Sequence, residues 1–305
     1  MNNTLLNVEN LVTHFKNTDG IFGRTTGIIS AVDNVSFQIK KSETLSLVGE
    51  SGCGKSTTGR SLLKLIPRTS GKITFNNQDI SEYTPKQMQK IRVNMQMIFQ
   101  DPFSSLNPRM TIGKTIAEPL EIHNLYQGKD LKDKVNELLI RVGLLPEHAN
   151  RYLHEFSGGQ RQRISIAKAL GPNPALIVAD EPVSALDVTI QAQIVNLMMD
   201  LQDEFGISYL FISHDMAVVE RISHKVAVMY MGRIVEIGSR EQVFESTTHS
   251  YTKSLLDAVP VADPKLTKNE NLTTFNENIS SVKPADYKSP PINMKEINEG
   301  HYISS

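Results

Sequence analysis

The sequence is short of cysteine and of net charge. Its 305 residues include one cysteine, Cys53, and carry a formal net charge of −1. One cysteine cannot form an internal disulfide, and it cannot hold a zinc ion or an iron–sulfur cluster on its own. A chain that is nearly neutral overall has no broad positive field to attract nucleic acid. We therefore exclude a disulfide-stapled fold and a cysteine-based metal centre, and we expect no nucleic-acid partner.

Long apolar runs are also missing. None approaches the ~20 residues that a helix needs to span a bilayer, and Met1 to Leu5 lack the basic and apolar regions of a secretory signal. We expect a chain that stays in the cytoplasm and reaches a membrane only through a partner. Hydrophobic residues at 39% and charged residues at 21% are typical of a globular protein. The length predicts one large domain, or one domain with appendages.

A phosphate-binding pattern stands near the start of the chain. Gly49 to Ser56 reads GESGCGKS and fits GxxxxGK[ST]. It follows the apolar run Leu45–Val48 and leads into a helical stretch that we expect to end near Leu65. Glycines let the backbone wrap phosphates, and the N–H groups at the helix start point at them. In this motif Lys55 reaches the β- and γ-phosphates and Ser56 ligates Mg²⁺. Cys53 is expected to be a small loop residue.

Two more motifs follow in order. Ser157–Gln160 reads SGGQ and runs into a helical stretch that we expect to stop at Gly171-Pro172. Ala175–Ala179 is a continuous apolar run, typical of a buried parallel strand, and Asp180 and Glu181 follow at once. After a phosphate loop, such carboxylates are placed to hold Mg²⁺ and to polarise water. A solvated loop is the alternative interpretation.

Local patterns predict several other elements. Asn17 to Ser30 is rich in glycine and threonine and predicts a loop, whereas Ala31–Ile39 alternates as a half-buried strand does. Val226–Tyr230 and Arg233–Gly238 predict a hairpin. His214 directly follows the apolar run ending at Ser213, where open α/β sheets bind ligands. A structural histidine is the alternative.

Taken together, the phosphate loop, SGGQ and the apolar run ending in Asp-Glu resemble, in order and approximate spacing, the ATP-binding-cassette (ABC) ATPases. The resemblance covers residues 5–262 and implies an α/β fold. A P-loop (RecA-like) core carries an antiparallel β subdomain and an inserted α-helical subdomain at about 101–172, and a C-terminal segment lies at about 239–262. Residues 263–305 form a polar tail without apolar periodicity, which we expect to be flexible.

The resemblance implies roles around ATP and Mg²⁺. The implied hydrolytic residues are Gln100, Glu181 and His214. The implied Mg²⁺ ligands are Ser56, Gln100 and Asp180. Phe15 is the implied stacking partner of adenine, and a plain core residue is the alternative. The residues implied to bind ATP are Phe15, Gly49, Glu50, Ser51, Gly52, Cys53, Gly54, Lys55, Ser56, Thr57, Ser157, Gly158, Gly159 and Gln160.

A narrower resemblance points to one branch of the superfamily. Phe99 to Thr111 reads FQDPFSSLNPRMT and resembles oligopeptide, dipeptide and nickel importers. Glu245 to Pro260 resembles their C-terminal segment, with Ser250 where proline is usual. We expect the ATP-hydrolysing subunit of a bacterial peptide importer, similar to the F-type subunit of oligopeptide permeases. The Gly23-Arg24 region favours the F type over the D type.

The same resemblance implies partners. Two ABC ATPase domains sandwich two ATP molecules, with the SGGQ segment of each chain acting on the ATP of the other. We expect a second ABC ATPase subunit of the D type, two membrane permease subunits at the cytoplasmic face of the cell membrane, and indirectly an extracellular substrate-binding protein. Nickel or metallophore import remains an alternative, as do a soluble ABC ATPase not linked to transport and a regulatory module with an inactive site.

Overall fold

The computed structural model describes residues 3–19, 24–258 and 282–304. The chain divides into two compact units. The first comprises the described residues of Met1–Lys40, Thr44–Glu82 and Ser213–Ser305, and the second comprises Lys41–Glu43 and Tyr83–Ile212. Within the described ranges, no helix combines the length and hydropathy needed to cross a membrane.

Strands and helices alternate along most of the chain. The strands are β1 (Thr4–Asp19), β2 (Arg24–Lys40), β3 (Thr44–Val48), β4 (Ser70–Phe75), β5 (Gln78–Asp79), β6 (Met95–Ile98), β7 (Leu176–Asp180), β8 (Ser208–Ser213), β9 (Lys225–Tyr230), β10 (Arg233–Ser239), β11 (Met294–Asn298) and β12 (His301–Ser304). The α-helices are α1 (Lys55–Leu62), α2 (Pro85–Arg92), α3 (Pro102–Ser105), α4 (Ile112–Ile122), α5 (Gly128–Arg141), α6 (Gly158–Leu170), α7 (Val188–Phe205), α8 (Met216–Ile222), α9 (Arg240–Glu245) and α10 (Ser250–Asp257). Short 3₁₀ helices lie at Pro146–Asn150 and Leu153–Glu155.

An antiparallel sheet of order β2-β1-β4-β5 opens the first unit. Its apolar face buries Leu6, Leu11 and Ile73. The loop expected from Asn17 to Ser30 is wrong over residues 17–19 and 24–30, because β1 runs to Asp19 and β2 begins at Arg24 and pairs with it. Residues 20–23 lie outside the described ranges. The partner of Ile28 is also remote in sequence, since Ile28 and Lys283 exchange backbone hydrogen bonds of 2.9 and 2.8 Å.

A second set of strands in the first unit has the order β11-β12-β10-β9-β3. Strand β3 pairs in parallel with β9, and β9 and β10 form the expected hairpin around Met231 and Gly232. Both turn residues have positive φ, 46° and 83°, which matches the right-handed twist of a tight hairpin. Helix α1 ends at Leu62, three residues before the expected position, as Lys64 turns to φ 51°.

The described part of the polar tail is ordered, which corrects the expectation of a flexible segment for residues 282–304. Strand β12 pairs with β10 and β11 pairs with β12. His301 is fully buried, and its Nε2 lies 2.8 Å from Oε1 of the buried Glu236. The expectation failed because the tail is held by partners far away in sequence. Residues 263–281 lie outside the described ranges.

The tail also contacts the antiparallel sheet of the same unit. The hydroxyl of Tyr287 donates to Oδ2 of Asp33 at 2.9 Å, and Arg233 donates to the same oxygen through Nε and Nη2 at 2.9 and 2.7 Å. Burial alone would raise the pKa of Asp33, but the hydrogen bonds from Ser289, Arg233 and Tyr287 hold that pKa below its ordinary value. The Asp33 carboxylate is therefore a charged anchor for the tail.

The second unit contains the parallel strands β6, β7 and β8 in that lateral sequence. All residues of β7 and β8 are buried, as the apolar runs in the sequence predict. Helices α3 to α6 occupy the region expected to form a helical subdomain, and α6 packs against α4, α5 and α7. Helix α7 ends at Phe205, and Gly206 caps it with a φ of 65°, which suits a glycine at a helix end.

Candidate nucleotide site

The phosphate loop occupies the turn between β3 and α1 in the first unit. Gly49 and Gly54 have φ values of 147° and 109°, which residues with a Cβ rarely adopt. A Cβ at Gly49 would lie 2.1 Å from the carbonyl oxygen of Met229, and one at Gly54 would lie 2.0 Å from that of Ala31. Glycine is therefore required at both positions by backbone conformation and by close backbone packing.

Lys55 lies across the loop rather than in solvent. It is 3% exposed, and its Nζ donates to the carbonyl oxygens of Gly49 and Glu50 at 2.7 Å each. Helix α1 begins at this residue without a side-chain cap and without an acidic residue in its first turn. An uncapped helix start beside a buried ammonium group favours a bound anion. The residues present therefore fit a nucleotide phosphate.

Cys53 lies within the same loop and is buried. Burial raises the pKa of its thiol, against the opposing effect of Lys55, whose Nζ is 3.8 Å from the sulfur. A thiol with a raised pKa is neutral at physiological pH and a poor nucleophile. The geometry agrees with a small packing residue in the loop.

In the second unit, two of the residues singled out from the sequence meet. Nε2 of Gln100 donates to Oε2 of Glu181 at 3.0 Å. Asp180 ends β7 fully buried, and Glu181 turns the chain with φ 48°, while its N–H donates to the carbonyl of Ile212 at 2.9 Å. A non-glycine residue in this conformation stores backbone strain, which is common where a side chain is aimed for function. The solvated-loop interpretation does not fit a buried Asp180.

The SGGQ segment begins α6 in the second unit. Ser157 accepts a hydrogen bond from the N–H of Gln160 at 3.4 Å, and its own N–H donates to Oε1 of Gln160 at 3.0 Å. This reciprocal pair is a capping box. A Cβ at Gly159 would lie 2.5 Å from Cγ2 of Ile190, so a side chain there would force the Ile190 side chain to move. The segment is thus a preformed helix start with an exposed Ser157.

The two remaining candidates lie in the first unit. His214 is exposed directly after Ser213, as the sequence predicts. Phe15 is 40% exposed on β1 and lies opposite Ile29, which is 36% exposed. The interpretation of Phe15 as a core residue is therefore wrong. Its stacking on adenine stays a prediction.

Sequence reasoning missed one residue at the phosphate loop. The backbone N–H of Glu50 donates to the hydroxyl of Tyr251, at 3.1 Å, and Tyr251 is fully buried in α10. The available signal was weak, because Tyr251 belonged to a segment recognised only by its resemblance to other C-terminal segments.

Comparison with known proteins identifies the family. A family model described as "ABC transporter" matches residues 32–184, and one described as "Oligopeptide/dipeptide transporter, C-terminal region" matches residues 235–283. The glutathione import ATP-binding proteins GsiA of Escherichia coli (strain K12) and Shigella flexneri are each 55% identical over 300 residues. Each alignment covers 98% of this chain and 48% of the relative, so the chain spans about half the length of these curated relatives.

Solved structures agree with this result. The cassette MJ0796, in a dimeric post-hydrolysis state bound to ADP and Pi, is 28% identical with a TM-score of 0.69, over 77% of this chain and 99% of that chain. The protein cbiO1 of Clostridium perfringens, part of the ABC transporter complex cbiONQ, is 27% identical with a TM-score of 0.67, over 80% and 92%. The recognition from motifs and the fold class are confirmed. The chain belongs to the ABC transporter family.

Proposed function

We propose that the chain is the ATP-hydrolysing part of a bacterial importer of oligopeptides or dipeptides. One observation carries this proposal. A phosphate loop that only glycine can form at positions 49 and 54, with Lys55 buried across it, occurs on a chain whose C-terminal region matches that of oligopeptide and dipeptide transporters. The loop indicates nucleotide binding, and the C-terminal match indicates the oligopeptide and dipeptide branch of the family.

Nucleotide binding rests mainly on the phosphate loop. Backbone N–H groups at the start of α1 donate to phosphate oxygens, and Lys55 neutralises the β- and γ-phosphates. Phe15, exposed on β1, stacks on adenine. The residues that would hold Mg²⁺ are Ser56, Gln100 and Asp180. The ion would neutralise charge that develops on the phosphates.

Hydrolysis needs a positioned water molecule. Glu181 accepts the proton of the water that attacks the γ-phosphorus, and His214 helps to hold the water. The hydrogen bond from Gln100 fixes the orientation of the Glu181 carboxylate. Little covalent chemistry is asked of the protein, since catalysis of phosphoryl transfer is mainly positioning and electrostatic stabilisation.

A second cassette completes the site in this proposal. Ser157–Gln160 of one chain binds the γ-phosphate held by another, and the capping box that forms this helix start supports such a role. The dimeric state of the solved MJ0796 cassette supports the arrangement. We propose a D-type ATPase as the second cassette, two membrane permease subunits, and attachment at the cytoplasmic face of the membrane. An extracellular binding protein would deliver the cargo.

The cargo is proposed to be a short peptide. The curated relatives are named for glutathione import, and glutathione is a peptide of three residues. The test uses vesicles that contain the chain with its permease and second ATPase subunits. ATP-dependent uptake of labelled glutathione, dipeptides and longer peptides is measured beside uptake of Ni²⁺. Peptide uptake that stops without ATP is the expected result. Uptake of Ni²⁺ alone would overturn the cargo, and absence of ATP binding would overturn the whole proposal.

A further inference from the structure

The C-terminal helix α10 is hydrogen-bonded to the phosphate loop through Tyr251. Tyr251 lies in the first turn of α10, and its hydroxyl oxygen accepts the backbone N–H of Glu50 at 3.1 Å. Glu50 is the second residue of the loop, and the carbonyl of the same residue accepts the ammonium group of Lys55 at 2.7 Å. Both backbone polar groups of Glu50, its N–H and its carbonyl, are thus hydrogen-bonded within the protein. The N–H of Glu50 serves as an anchor of the loop, and a role of Glu50 in binding ATP stays a prediction.

Tyr251 is held rigidly in this position. It is fully buried in an apolar cluster with Val48, the residue directly before the loop, and with Val228 of β9. Its ring centroid is 4.4 Å from that of Tyr230. Burial raises the pKa of the Tyr251 hydroxyl well above its ordinary value, so the group stays protonated while its oxygen accepts the N–H of Glu50.

The start of α10 explains why the tyrosine sits where it does. Nδ1 of His249 accepts the N–H of Tyr251 at 3.2 Å, and this bond caps the helix. Ser250 occupies the first helical position, where proline is favoured because its missing N–H is not needed. The serine found here in place of the usual proline therefore leaves the cap and the position of Tyr251 intact.

A buried carboxylate holds the segment that leads into α10. Oε2 of Glu236 accepts the hydroxyl of Thr247 at 2.8 Å, and Oε1 accepts the N–H of Thr248 at 3.2 Å. Oε1 also lies 2.8 Å from Nε2 of His301 in the tail. A single carboxylate thus fixes both the approach to α10 and the tail strand β12. A continuous set of contacts runs from the tail through Glu236 to Tyr251 and Glu50.

We propose that Tyr251 is a positioning residue for the phosphate loop, so that the C-terminal region tunes the affinity of this cassette for nucleotide. The inference rests on the proposed binding of ATP at the loop. Tyr251 touches neither the reacting phosphate nor the water. It acts by restricting the loop to the conformation in which the N–H groups after Gly52 converge, and preorganisation of this kind lowers the entropy lost on binding.

The first experiment compares Tyr251→Phe with the matched variant Tyr209→Phe. Tyr209 is also fully buried, and its hydroxyl donates to one carbonyl, that of Met198. Each change removes one buried hydroxyl, but only the first loosens the loop. Loss of one hydrogen bond should raise the Kd of the full chain for a fluorescent ATP analogue about three- to tenfold in Tyr251→Phe. Tyr209→Phe should lower the melting temperature without changing Kd. In the assembled transporter, Tyr251→Phe should raise KM for ATP and leave kcat unchanged.

A second variant keeps the test decisive if Tyr251→Phe folds poorly. Thr247→Val removes the hydroxyl that donates to Glu236, so it should loosen the segment that leads into α10. The Tyr251 side chain itself is retained. Amide hydrogen exchange of residues 49–54 should become about two- to fivefold faster in Thr247→Val, and it should be unchanged in Tyr209→Phe. Unchanged Kd and unchanged loop exchange in both loop-directed variants would overturn the inference while the proposed function stands. Failure of the unmodified chain to bind ATP would overturn both.

Discussion

The close backbone packing at Gly54 predicts that a substitution there lowers both stability and ATP affinity. Gly54→Ala places a methyl group 2.0 Å from the carbonyl oxygen of Ala31 at φ 109°. Substitutions at two other glycines serve as controls, because they add conformational strain without a steric collision. Gly52 has φ 81° and Gly128 has φ 56°, and a Cβ at either position would meet no atom within 4 Å. Gly52 lies in the loop, whereas Gly128 begins α5 in the other unit.

The three substitutions should therefore differ in size and in kind. Gly52→Ala and Gly128→Ala carry strain alone, of about 1–3 kcal/mol each. Gly54→Ala adds steric overlap with backbone, which costs about 1–3 kcal/mol more when a packed site must shift. If the loop moves to relieve that overlap, the N–H groups at the start of α1 lose their alignment. We expect Gly54→Ala to lose at least ~10-fold in ATP affinity, the equivalent of about 1.4 kcal/mol.

The assay combines urea unfolding with titration of ATP for all three variants. Gly128→Ala should keep its ATP affinity while losing some stability. Gly52→Ala should be intermediate in affinity, and Gly54→Ala should be lowest in both quantities. If Gly54→Ala matched Gly128→Ala in stability and in affinity, the argument from backbone collision would be refuted.

Three further substitutions test other parts of the molecule. Glu181→Gln keeps the shape of the side chain but removes the charge that activates water, so ATP binding should survive while turnover falls by ~10²-fold or more; near-normal steady-state hydrolysis would remove Glu181 from its role. Ser157→Arg should leave ATP binding by the isolated chain unchanged and abolish hydrolysis at the partner's site, whereas Ser157→Ala removes the hydroxyl without filling the γ-phosphate position, so it should lower that hydrolysis less while losing the helix cap, about 1 kcal/mol; full activity of Ser157→Arg beside a normal partner would contradict the shared site. Asp33→Asn should loosen the part of the tail around Tyr287 and cost about 1–3 kcal/mol of stability at pH 7. Since the pKa of Asp33 is lowered in the folded protein, its contribution is present above the pKa of the unfolded chain and is lost as the pH falls through the folded value. The stability difference between wild type and Asp33→Asn, measured by urea unfolding, should therefore vanish in acid, and a difference that stayed constant with pH would refute the assignment.

Much of the fold follows from local patterns. The glycines and Lys55 of the phosphate loop, the apolar run of β7 and the Met231-Gly232 turn each carry their own conformational preference. SGGQ likewise contains its own cap, because Ser157 and Gln160 are three residues apart. The meeting of Gln100 with Glu181 was expected only from the family resemblance, since 81 residues separate them.

The features that escaped prediction depend on remote partners. Residues 24–30 read as a loop because their glycine and threonine content outweighs short-range strand signals, yet β1 and Lys283 supply hydrogen bonds. The tail sequence is polar and has no apolar periodicity. The groups that hold it, the buried Glu236 and the charged Asp33, lie far away in sequence. Tyr251 looks like an ordinary helix residue until Glu50 is placed beside it. A sequence pattern indicates a residue's own conformational preference, but it does not show the distant group that bonds to that residue in the fold.

The hairpin of β11 and β12 has a consequence for solubility. Strand β10 would otherwise present unpaired N–H and C=O groups along one side, and such an edge can recruit strands from other molecules. With the hairpin in place, the outermost strand of the described sheet is β11, whose exposed Lys295 and Glu296 make edge-to-edge association unfavourable. The tail thus covers a sheet edge that would otherwise promote aggregation. Loss of the His301 contact should therefore increase self-association of the protein.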